Sequence, residues 1–205
     1  MPRQLVIATH NAHKTQEFRA LLGDGWLVED LSAHPQLTAP EENGLTFEDN
    51  ATIKALAASR VLGPDVFVVA DDSGLEVDAL DGRPGIYSAR YAGPGAGDGG
   101  NLRKVLDELS GVRGKARTAR FRCVLVLARG GEKLTACHGS VEGIMANEPK
   151  GAGGFGYDPA FIPDGHCETF GQLPAETKNA LSHRARALTQ LMEDLSRVPT
   201  AIIEN

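Results

Sequence analysis

The sequence predicts an α/β protein with a mixed β-sheet, organised as two lobes. Apolar runs of strand type alternate with segments of helical periodicity through the first half of the chain. A long β-hairpin is predicted at residues 119–143, and a glycine-rich stretch follows it. Alternating strands and helices combined with such a hairpin indicate a mixed sheet. We expect the hairpin and the glycine-rich stretch to form a second lobe, with a cleft between the lobes.

Size and charge narrow the classes of function that the chain can serve. Its 205 residues fit a single domain, residues 1–205, which is large enough to bury a core. The net charge of −6 argues against a nucleic-acid-binding face, although a few basic side chains in one cleft can still bind a small anion. With no run of about 18 apolar residues and no signal-peptide pattern, we expect no membrane partner and a cytoplasmic location.

The three cysteines, Cys123, Cys137 and Cys167, show no C-x-x-C spacing. An odd number without that spacing argues against a disulfide framework and against a zinc site. Cys123 and Cys137 fall in predicted strands, where we expect core residues rather than nucleophiles.

The first half of the chain carries clear start and stop signals for its elements. Strands are predicted at 4–9, 26–31 and 66–70, and helices at 14–22 and 47–62. Thr46 and Asp49 have the spacing of a capping box at the start of the second helix, and Gly63 ends that helix. The strand 66–70 is expected to end at Asp71, with a further short strand at 76–80.

The second half is predicted to contain one helix, the hairpin and a last helix. Residues 92–100 are rich in glycine, and Asp98 is expected to cap a helix that runs to about Leu109. The hairpin arms are predicted at 119–128 and 133–143, around a turn at 129–132. The last helix is predicted from an apolar stripe of Ala185, Leu188, Leu191, Met192 and Leu195.

Two adjacent acids, Asp71 and Asp72, stand where the central strand is expected to end. Ligands of open α/β sheets gather outside the carboxyl ends of strands, and two neighbouring carboxylates repel unless a cation holds them. Mg²⁺ prefers oxygen ligands and commonly uses one or two carboxylates with substrate phosphates. The alternative is an ordinary Asp-Ser-Gly turn.

Glu41 and Glu42 form a second acidic pair, in the loop before the second helix. They either supply a further metal ligand or are solvated loop charges.

The polar segment Thr9–Lys14 lies between the first strand and the first helix. Main-chain N–H groups at a helix N-terminus, together with a lysine, are suited to a phosphate. The segment is not a Walker A loop, since the pattern G-x-x-x-x-G-K-[ST] is absent. The alternative is a polar turn in which Asn11 caps the helix.

The glycine-rich segment 151–156 matches G-x-G-x-x-G, but it does not predict a dinucleotide site. That fingerprint needs a helix after the glycines, and Pro163 is incompatible with a helix at that point. We expect the segment to present Phe155 as a stacking surface for a planar base, with burial of Phe155 in the core as the alternative.

A polar cluster lies near the predicted start of the last helix. Because the helix macrodipole disfavours cations there, the presence of basic residues favours a functional role for the cluster. Its members are Lys178, Ser182, His183 and Arg184.

Taken together, these segments resemble the inosine/xanthosine triphosphate pyrophosphatases, enzymes that hydrolyse faulty purine triphosphates. The resemblance covers nearly the whole chain in order, and the combination of motifs is highly specific. The matching segments are THNAHK (9–14), EENGLTFEDNATIKA (41–55), ADDSGLEVDALDGRPGIYSARYAG (70–93), GGFGYDPAF (153–161) and SHRARAL (182–188). One departure is His10, where many relatives carry a small residue.

The resemblance implies an elongated fold with a central nucleotide cleft, a homodimer, and Mg²⁺-dependent hydrolysis of the purine nucleoside triphosphates ITP, dITP and XTP. It implies that Asp72 is the general base and that Glu42, Asp71 and Asp72 bind Mg²⁺. Lys14 and Lys54 are implied to hold the triphosphate. The full set implied in substrate binding is Thr9, His10, Asn11, Ala12, His13, Lys14, Lys54, Ser73, Phe155, Gly156, Tyr157, Asp158, Lys178, His183 and Arg184.

The implied reaction is attack of a carboxylate-oriented water on the α-phosphorus, with pyrophosphate as the leaving group. Lys178 or Arg184 would donate to the 6-keto oxygen of hypoxanthine or xanthine, and would be left unpaired by the 6-amino group of adenine. Two other functions are weighed against this one. The first is a broader nucleotide phosphatase or a pyrophosphatase for modified pyrimidines, and the second is a non-catalytic nucleotide-binding protein, which would need fewer carboxylates.

Overall fold

The computed structural model describes residues 3–197, and this range contains six β-strands and five α-helices. The strands are β1 (Arg3–Ile7), β2 (Trp26–Asp30), β3 (Phe67–Val77), β4 (Thr118–Arg129), β5 (Glu132–Met145) and β6 (Phe161–Pro163). The helices are α1 (Ala12–Leu22), α2 (Phe47–Leu62), α3 (Gly97–Glu108), α4 (Ala175–Leu181) and α5 (His183–Arg197). No helix within residues 3–197 combines the length and the apolar character that crossing a membrane requires.

The strands form one mixed sheet in the order β2-β1-β3-β4-β5-β6. Strand β1 is parallel to both of its neighbours, so that Val6 lies opposite Glu29 of β2 and Val68 of β3. Strands β4 and β5 form the predicted hairpin with its turn at residues 130–131, and β6 pairs antiparallel with β5. The mixed α/β class predicted from the sequence is therefore confirmed.

The described chain divides into two compact units, and β3, β4 and β5 each contribute residues to both. The first unit consists of residues 3–72, Cys123–Gly139 and 185–197. The second unit consists of Ser73–Arg122 and Ser140–Arg184.

Each unit has a hydrophobic core of its own. In the first unit, residues of β1, β3 and β4 pack with the apolar stripe of α5, to which Leu188 and Leu191 belong. In the second unit, the ring centroid of Phe161 lies 4.7 Å from that of Phe121 and 5.3 Å from that of Phe170. These cores support the polar side chains of each unit separately.

Local signals in the sequence correctly mark both ends of α2. The hydroxyl of Thr46 accepts from the main-chain N–H of Asp49 at 3.1 Å, and the Asp49 carboxylate accepts from the N–H of Thr46 at 3.0 Å. Gly63 ends the helix at a φ of 84°, a left-handed conformation that glycine adopts at little steric cost. These caps fix the segment that carries Asn50 and Lys54.

The expected end of the central strand at Asp71 is wrong, because β3 continues without interruption to Val77. The separate strand predicted at 76–80 is the last part of β3 followed by a short 3-10 turn at Asp78–Leu80. Asp71 and Asp72 can stay within a buried strand because each forms an ion pair with a lysine. The Asp-Ser-Gly sequence is therefore strand rather than turn.

Other differences concern short elements and one cap. The hydrophobic pattern does not predict β6 or α4, which have three and seven residues and are too short to show a period. Helix α3 begins at Gly97 with Ala96 as its N-cap residue, so Asp98 lies inside the first turn and is not the cap. Lys178 belongs to α4 and not to the start of the last helix, where His183 begins α5.

Candidate active site

The first unit holds lysines and carboxylates around β3. Lys54 of α2 donates through Nζ to Oδ1 of Asp72 at 2.8 Å and to the main-chain oxygen of Asp71 at 2.9 Å. Oε2 of Glu42, in the loop before α2, lies 3.4 Å from the same Nζ. One ammonium group therefore joins the acidic loop to both acids of β3.

Asp71 is the partner of a second lysine. Lys14 of α1 forms an ion pair with Oδ1 of Asp71, and Cys123 of β4 donates its thiol to Oδ2 at 3.3 Å. The Asp71 side chain has an exposed fraction of 0%, so these donors offset the cost of burying its charge. The main-chain oxygen of Asp71 accepts from both Lys14 and Lys54, and the two ammonium groups thus converge on one residue.

The pKa values of Lys54 and Asp72 are both raised, for different reasons. Burial raises the pKa of the Asp72 carboxyl above its ordinary value, although the charges of Lys54 and Lys14 oppose this shift. Burial by itself lowers the pKa of Lys54, but the charges of Asp72, Glu42 and Asp71 outweigh it, and the pKa is raised. A carboxylate with raised proton affinity is a better general base near neutral pH.

A buried asparagine, Asn50 of α2, connects Asp72 with the acidic loop. Its Nδ2 donates to Oδ2 of Asp72 at 3.5 Å, and its Oδ1 accepts from the N–H of Gly44 at 2.9 Å. The Asn50 side chain is fully buried, at 0% exposure. The motif resemblance assigns it no role, but its spacing of four residues from Lys54 places both on one helix face and is the signal that could have identified it.

The segment Thr9–Lys14 leads into α1, and Asn11 caps that helix. Oδ1 of Asn11 accepts from the N–H groups of His13 and Lys14 at 3.0 and 3.2 Å. The capping role that the polar-turn interpretation gives to Asn11 is therefore confirmed, while the phosphate-binding role of the segment stays a prediction. The structure brings Lys14 to β3. The exposed members of the segment are His10, Asn11, Ala12 and His13.

The oxygen atoms around Lys54 fit a Mg²⁺ ion. Glu42 and Asp72 contact the same Nζ, so their carboxylates lie near one another, and Mg²⁺ prefers such ligands. Asp71 fits less well as a direct ligand, because its side chain is 0% exposed whereas that of Asp72 is 11% exposed. Within residues 3–197, no group of three or more His, Cys, Asp or Glu side chains converges on a metal position. The donors therefore fit a site completed by substrate phosphates and water.

The second unit buries an ion pair beside an aromatic ring. Nζ of Lys178 donates to Oδ2 of Asp158 at 2.6 Å, and the side chains are only 7% and 4% exposed. The ring centroid of Phe155 lies 5.0 Å from Nζ of Lys178 and 5.9 Å from the guanidinium carbon of Arg184. Phe155 is half-buried beside two cations and lies outside the core around Phe121, so the alternative that it is a core residue does not hold.

Arg184 and His183 lie at the start of α5. Nη2 of Arg184 donates to Oγ of Ser73 at 3.1 Å, and Arg184 is only 1% exposed. The ring of His183 stacks on Phe121, with centroids 4.9 Å apart and planes at 11°. Ser73 follows Asp72 directly in β3, whereas His183 is packed on the core of the second unit.

The loop 155–158 is anchored at several points. The N–H of Phe155 donates to Oδ2 of Asp158 at 2.8 Å, and the hydroxyl of Tyr157 donates to the main-chain oxygen of Ser88 at 2.8 Å. Burial raises the pKa of the Tyr157 hydroxyl, which keeps it a donor. The N–H of Gly156 donates to Oδ2 of Asp98 at 2.8 Å. The sequence offers no spacing signal for this last contact, which sequence reasoning therefore misses.

The fold and the two clusters define an α/β protein whose first unit suits phosphate groups and whose second unit suits a planar ring. The sequence matches the Ham1 family over residues 5–194, and the chain belongs to this family. It is 51% identical over 191 residues to the dITP/XTP pyrophosphatase of Halalkalibacterium halodurans, covering 92% of this chain and 97% of that protein. It is 47% identical over 195 residues to the dITP/XTP pyrophosphatase of Shouchella clausii, covering 95% and 98%.

A solved structure gives the same result for the fold. A HAM1 protein from Coxiella burnetii matches with a TM-score of 0.84 and 38% identity, covering 96% of this chain and 100% of that chain. The resemblance inferred from the motifs is therefore confirmed.

Proposed function

We propose that the protein hydrolyses the non-standard purine nucleoside triphosphates ITP, dITP and XTP to the monophosphate and pyrophosphate, and so keeps them out of DNA and RNA. The observation that carries this proposal is the convergence of Lys14 and Lys54 on Asp71 and Asp72. Membership of the Ham1 family and the names of the dITP/XTP pyrophosphatases among its relatives support it.

The first unit supplies the groups for phosphoryl chemistry. Lys14 and Lys54 bind phosphate oxygens and oppose the charge that grows on the leaving pyrophosphate. Asp72 orients a water molecule and accepts its proton as the water attacks the α-phosphorus, while the bond to the bridging oxygen of pyrophosphate breaks. Glu42 and Asp72 would hold a Mg²⁺ ion, which would supply Lewis-acid charge at the phosphate oxygens. Asp71, also proposed as a metal ligand, supports the cluster through Lys14.

The second unit supplies recognition of the base. Phe155 stacks on the purine, and Lys178 or Arg184 donates to the 6-keto oxygen of hypoxanthine or xanthine. Both cations are buried, at 5% and 1% exposure, so water cannot replace a missing acceptor when adenine is presented. The resulting cost is about 1–3 kcal/mol for each unpaired group. The remaining residues proposed to contact substrate here are Ser73, Gly156, Tyr157, Asp158 and His183.

A turnover panel tests the proposed function. ITP, dITP, XTP, GTP, ATP and CTP are offered with and without Mg²⁺, and ³¹P NMR identifies the products. We expect Mg²⁺-dependent formation of monophosphate and pyrophosphate, fastest for ITP, dITP and XTP. Release of inorganic phosphate and a nucleoside diphosphate would instead indicate a nucleotide phosphatase, and binding without turnover would indicate a nucleotide-binding protein.

A cytoplasmic location and a homodimer belong to the same proposal. The location is proposed because the nucleotides that the protein would remove are those that DNA and RNA synthesis would otherwise use. Exposed apolar side chains such as Leu45, at 87% exposure, are candidates for contact with a second copy. Light scattering coupled to size-exclusion chromatography measures the assembly, and a mass near 21.7 kDa at micromolar concentration would contradict the dimer.

A further inference from the structure

We propose that Asp98 is a positioning residue for base recognition, because its carboxylate holds the loop 155–158 in the conformation that presents Phe155. The inference rests on the proposed function, since it concerns the loop that is proposed to bind the base. The contact is direct: the N–H of Gly156 donates to Oδ2 of Asp98 at 2.8 Å, across 58 residues of sequence. It joins the first turn of α3 to the aromatic loop.

The loop needs such an anchor because glycines flank its aromatic residue. Gly154 and Gly156 both have positive φ, at 70° and 61°, on either side of Phe155. Glycine loses more conformational freedom on ordering than any other residue. A Phe155 ring between two glycines is therefore held in one orientation only if the main chain on both sides is tied down.

Besides the N–H of Phe155 itself, which donates to the Asp158 carboxylate, the glycine segments on the two sides are tied by different kinds of hydrogen bond. On the N-terminal side, the N–H of Gly153 donates to the main-chain oxygen of Gly171 at 2.9 Å. On the C-terminal side, the acceptor for Gly156 is a carboxylate, and hydrogen bonds to ionised acceptors are stronger than neutral ones. Asp98 is exposed, so truncating its side chain removes the tie without opening a cavity in the core.

A merely structural role for Asp98 makes a different prediction. A carboxylate in the first turn of a helix interacts favourably with the macrodipole, and Asp98 occupies that position in α3. If this were its whole contribution, truncation would lower the stability of α3 and leave substrate affinity unchanged. The neutral Asp98→Asn variant separates the two roles, because it loses the charge but keeps an oxygen acceptor for Gly156.

The test measures kcat and KM for dITP and XTP in wild type, Asp98→Ala, Asp98→Asn and the matched control Asp107→Ala, which removes an exposed acid from the same helix. Inorganic triphosphate, used as a competitive inhibitor without a base, reports the phosphate site alone. In Asp98→Ala we expect KM to rise about two- to tenfold, the factor that one lost hydrogen bond produces, with kcat within about twofold of wild type. We expect the inhibition constant of triphosphate to be unchanged, Asp107→Ala to resemble wild type, and the KM of Asp98→Asn to lie between those of wild type and Asp98→Ala.

An unchanged KM in folded Asp98→Ala overturns the inference, as does an Asp98→Asn variant that is as impaired as Asp98→Ala. If Asp98→Ala does not fold, Asp98→Ser carries the test, because serine stays polar but its side-chain oxygen lies one bond nearer the main chain than the carboxylate of Asp98 and no longer reaches the Gly156 N–H. Amide hydrogen exchange gives a readout that does not depend on turnover: the Gly156 N–H should exchange faster in Asp98→Ala than in Asp98→Asn or wild type. Wild type that hydrolyses no nucleoside triphosphate would refute the proposed function, whereas the exchange rate would still decide whether Asp98 holds the loop.

Discussion

Lys54 and Asp72 form an ion pair in which Nζ lies 2.8 Å from Oδ1, and both side chains are nearly buried, at 12% and 11% exposure. The pair holds a cation and a candidate general base at one point of β3. Because the same Nζ also contacts Glu42 and the main chain of Asp71, Lys54 is oriented by three partners. Such preorganisation lowers the cost of arranging charges around a triphosphate.

Replacing Asp72 by asparagine should abolish turnover while leaving substrate binding largely intact. Asparagine keeps the size of the side chain and can accept from Lys54, but it cannot take a proton from water. Loss of a general base typically costs about 10²–10⁴-fold in rate. Steady-state kinetics with dITP, together with calorimetric binding, provides the measurement. Asp24→Asn, an exposed acid of the same unit, serves as the control, and normal hydrolysis by Asp72→Asn would show that the base has been assigned wrongly.

Glu42 and Asp71 should differ in how they affect the Mg²⁺ requirement. The Glu42→Gln variant should need at least about tenfold more Mg²⁺ for half-maximal rate, since it weakens a proposed ligand. Asp71→Asn should mainly lose stability, because it leaves the partly buried Lys14 without its ion-pair partner. Mg²⁺ titrations of activity and urea unfolding distinguish these effects, with Glu41→Gln as the neighbouring control. A larger shift in the Mg²⁺ requirement for Asp71→Asn would make Asp71 the direct ligand.

Asn50→Ala should reduce both activity and stability. The substitution leaves Oδ2 of Asp72 and the N–H of Gly44 without a buried partner, which costs about 1–3 kcal/mol. We expect kcat to fall about tenfold because Asp72 loses a group that orients it. Asn101→Ala, which removes another buried asparagine with two main-chain contacts, is the matched control for stability. Equal losses of kcat in the two variants would mean that Asn50 has no special relation to Asp72.

The features predicted correctly from the sequence are those encoded within a few residues. The capping box of Thr46 and Asp49, the glycine turn of the hairpin and the apolar stripe of α5 each depend on neighbours along one element. Short range also explains why Asn11 is identified as a cap from the sequence: its contacts reach only two and three residues ahead.

Among the charged side chains, the features missed are those whose partners lie far away in sequence. Asp71 and Asp72 look like the start of a turn, but Lys14 and Lys54 neutralise them from 57 and 18 residues away and keep them in the strand. Asp98 looks like a helix cap, but its acceptor oxygen binds Gly156 across 58 residues. In each case the residue type indicates a charge, and only the fold supplies the group that uses it.

Breaking the ion pair of Lys178 and Asp158 should destabilise the second unit strongly. Lys178→Met leaves a carboxylate buried without its cation, which typically costs about 3–5 kcal/mol. Adding Asp158→Asn should recover more than half of that loss, because asparagine is neutral and still accepts from the N–H of Phe155. Urea unfolding measures stability, and the ratio of dITP to dATP turnover measures selectivity. The double variant should fold well but discriminate poorly, and recovery of selectivity together with stability would exclude Lys178 from base recognition.

A fall in pH should weaken the contact between Glu108 of α3 and Tyr91, which precedes the helix, because the Glu108 carboxylate becomes protonated. A hydrogen bond with Lys104, and to a smaller extent one with Tyr91, lowers the pKa of the Glu108 carboxyl below its ordinary value of 4.5. Burial and the contact with Glu108 raise the pKa of Tyr91 to about 12. A carboxyl with a lowered pKa in the folded state stabilises the protein fully above its ordinary pKa. That contribution is lost as the pH falls through the lowered value.

The Glu108→Gln variant should therefore lose stability near pH 7 and approach wild type as the pH falls below about 4. The effect at neutral pH should stay below about 1 kcal/mol, because Lys104 is 42% exposed and solvent screens the pair. Urea unfolding at pH 7, 5, 4 and 3 measures it, with the exposed Glu168→Gln as the control. A stability difference that is the same at every pH would mean that Glu108 acts through packing and not through its charge.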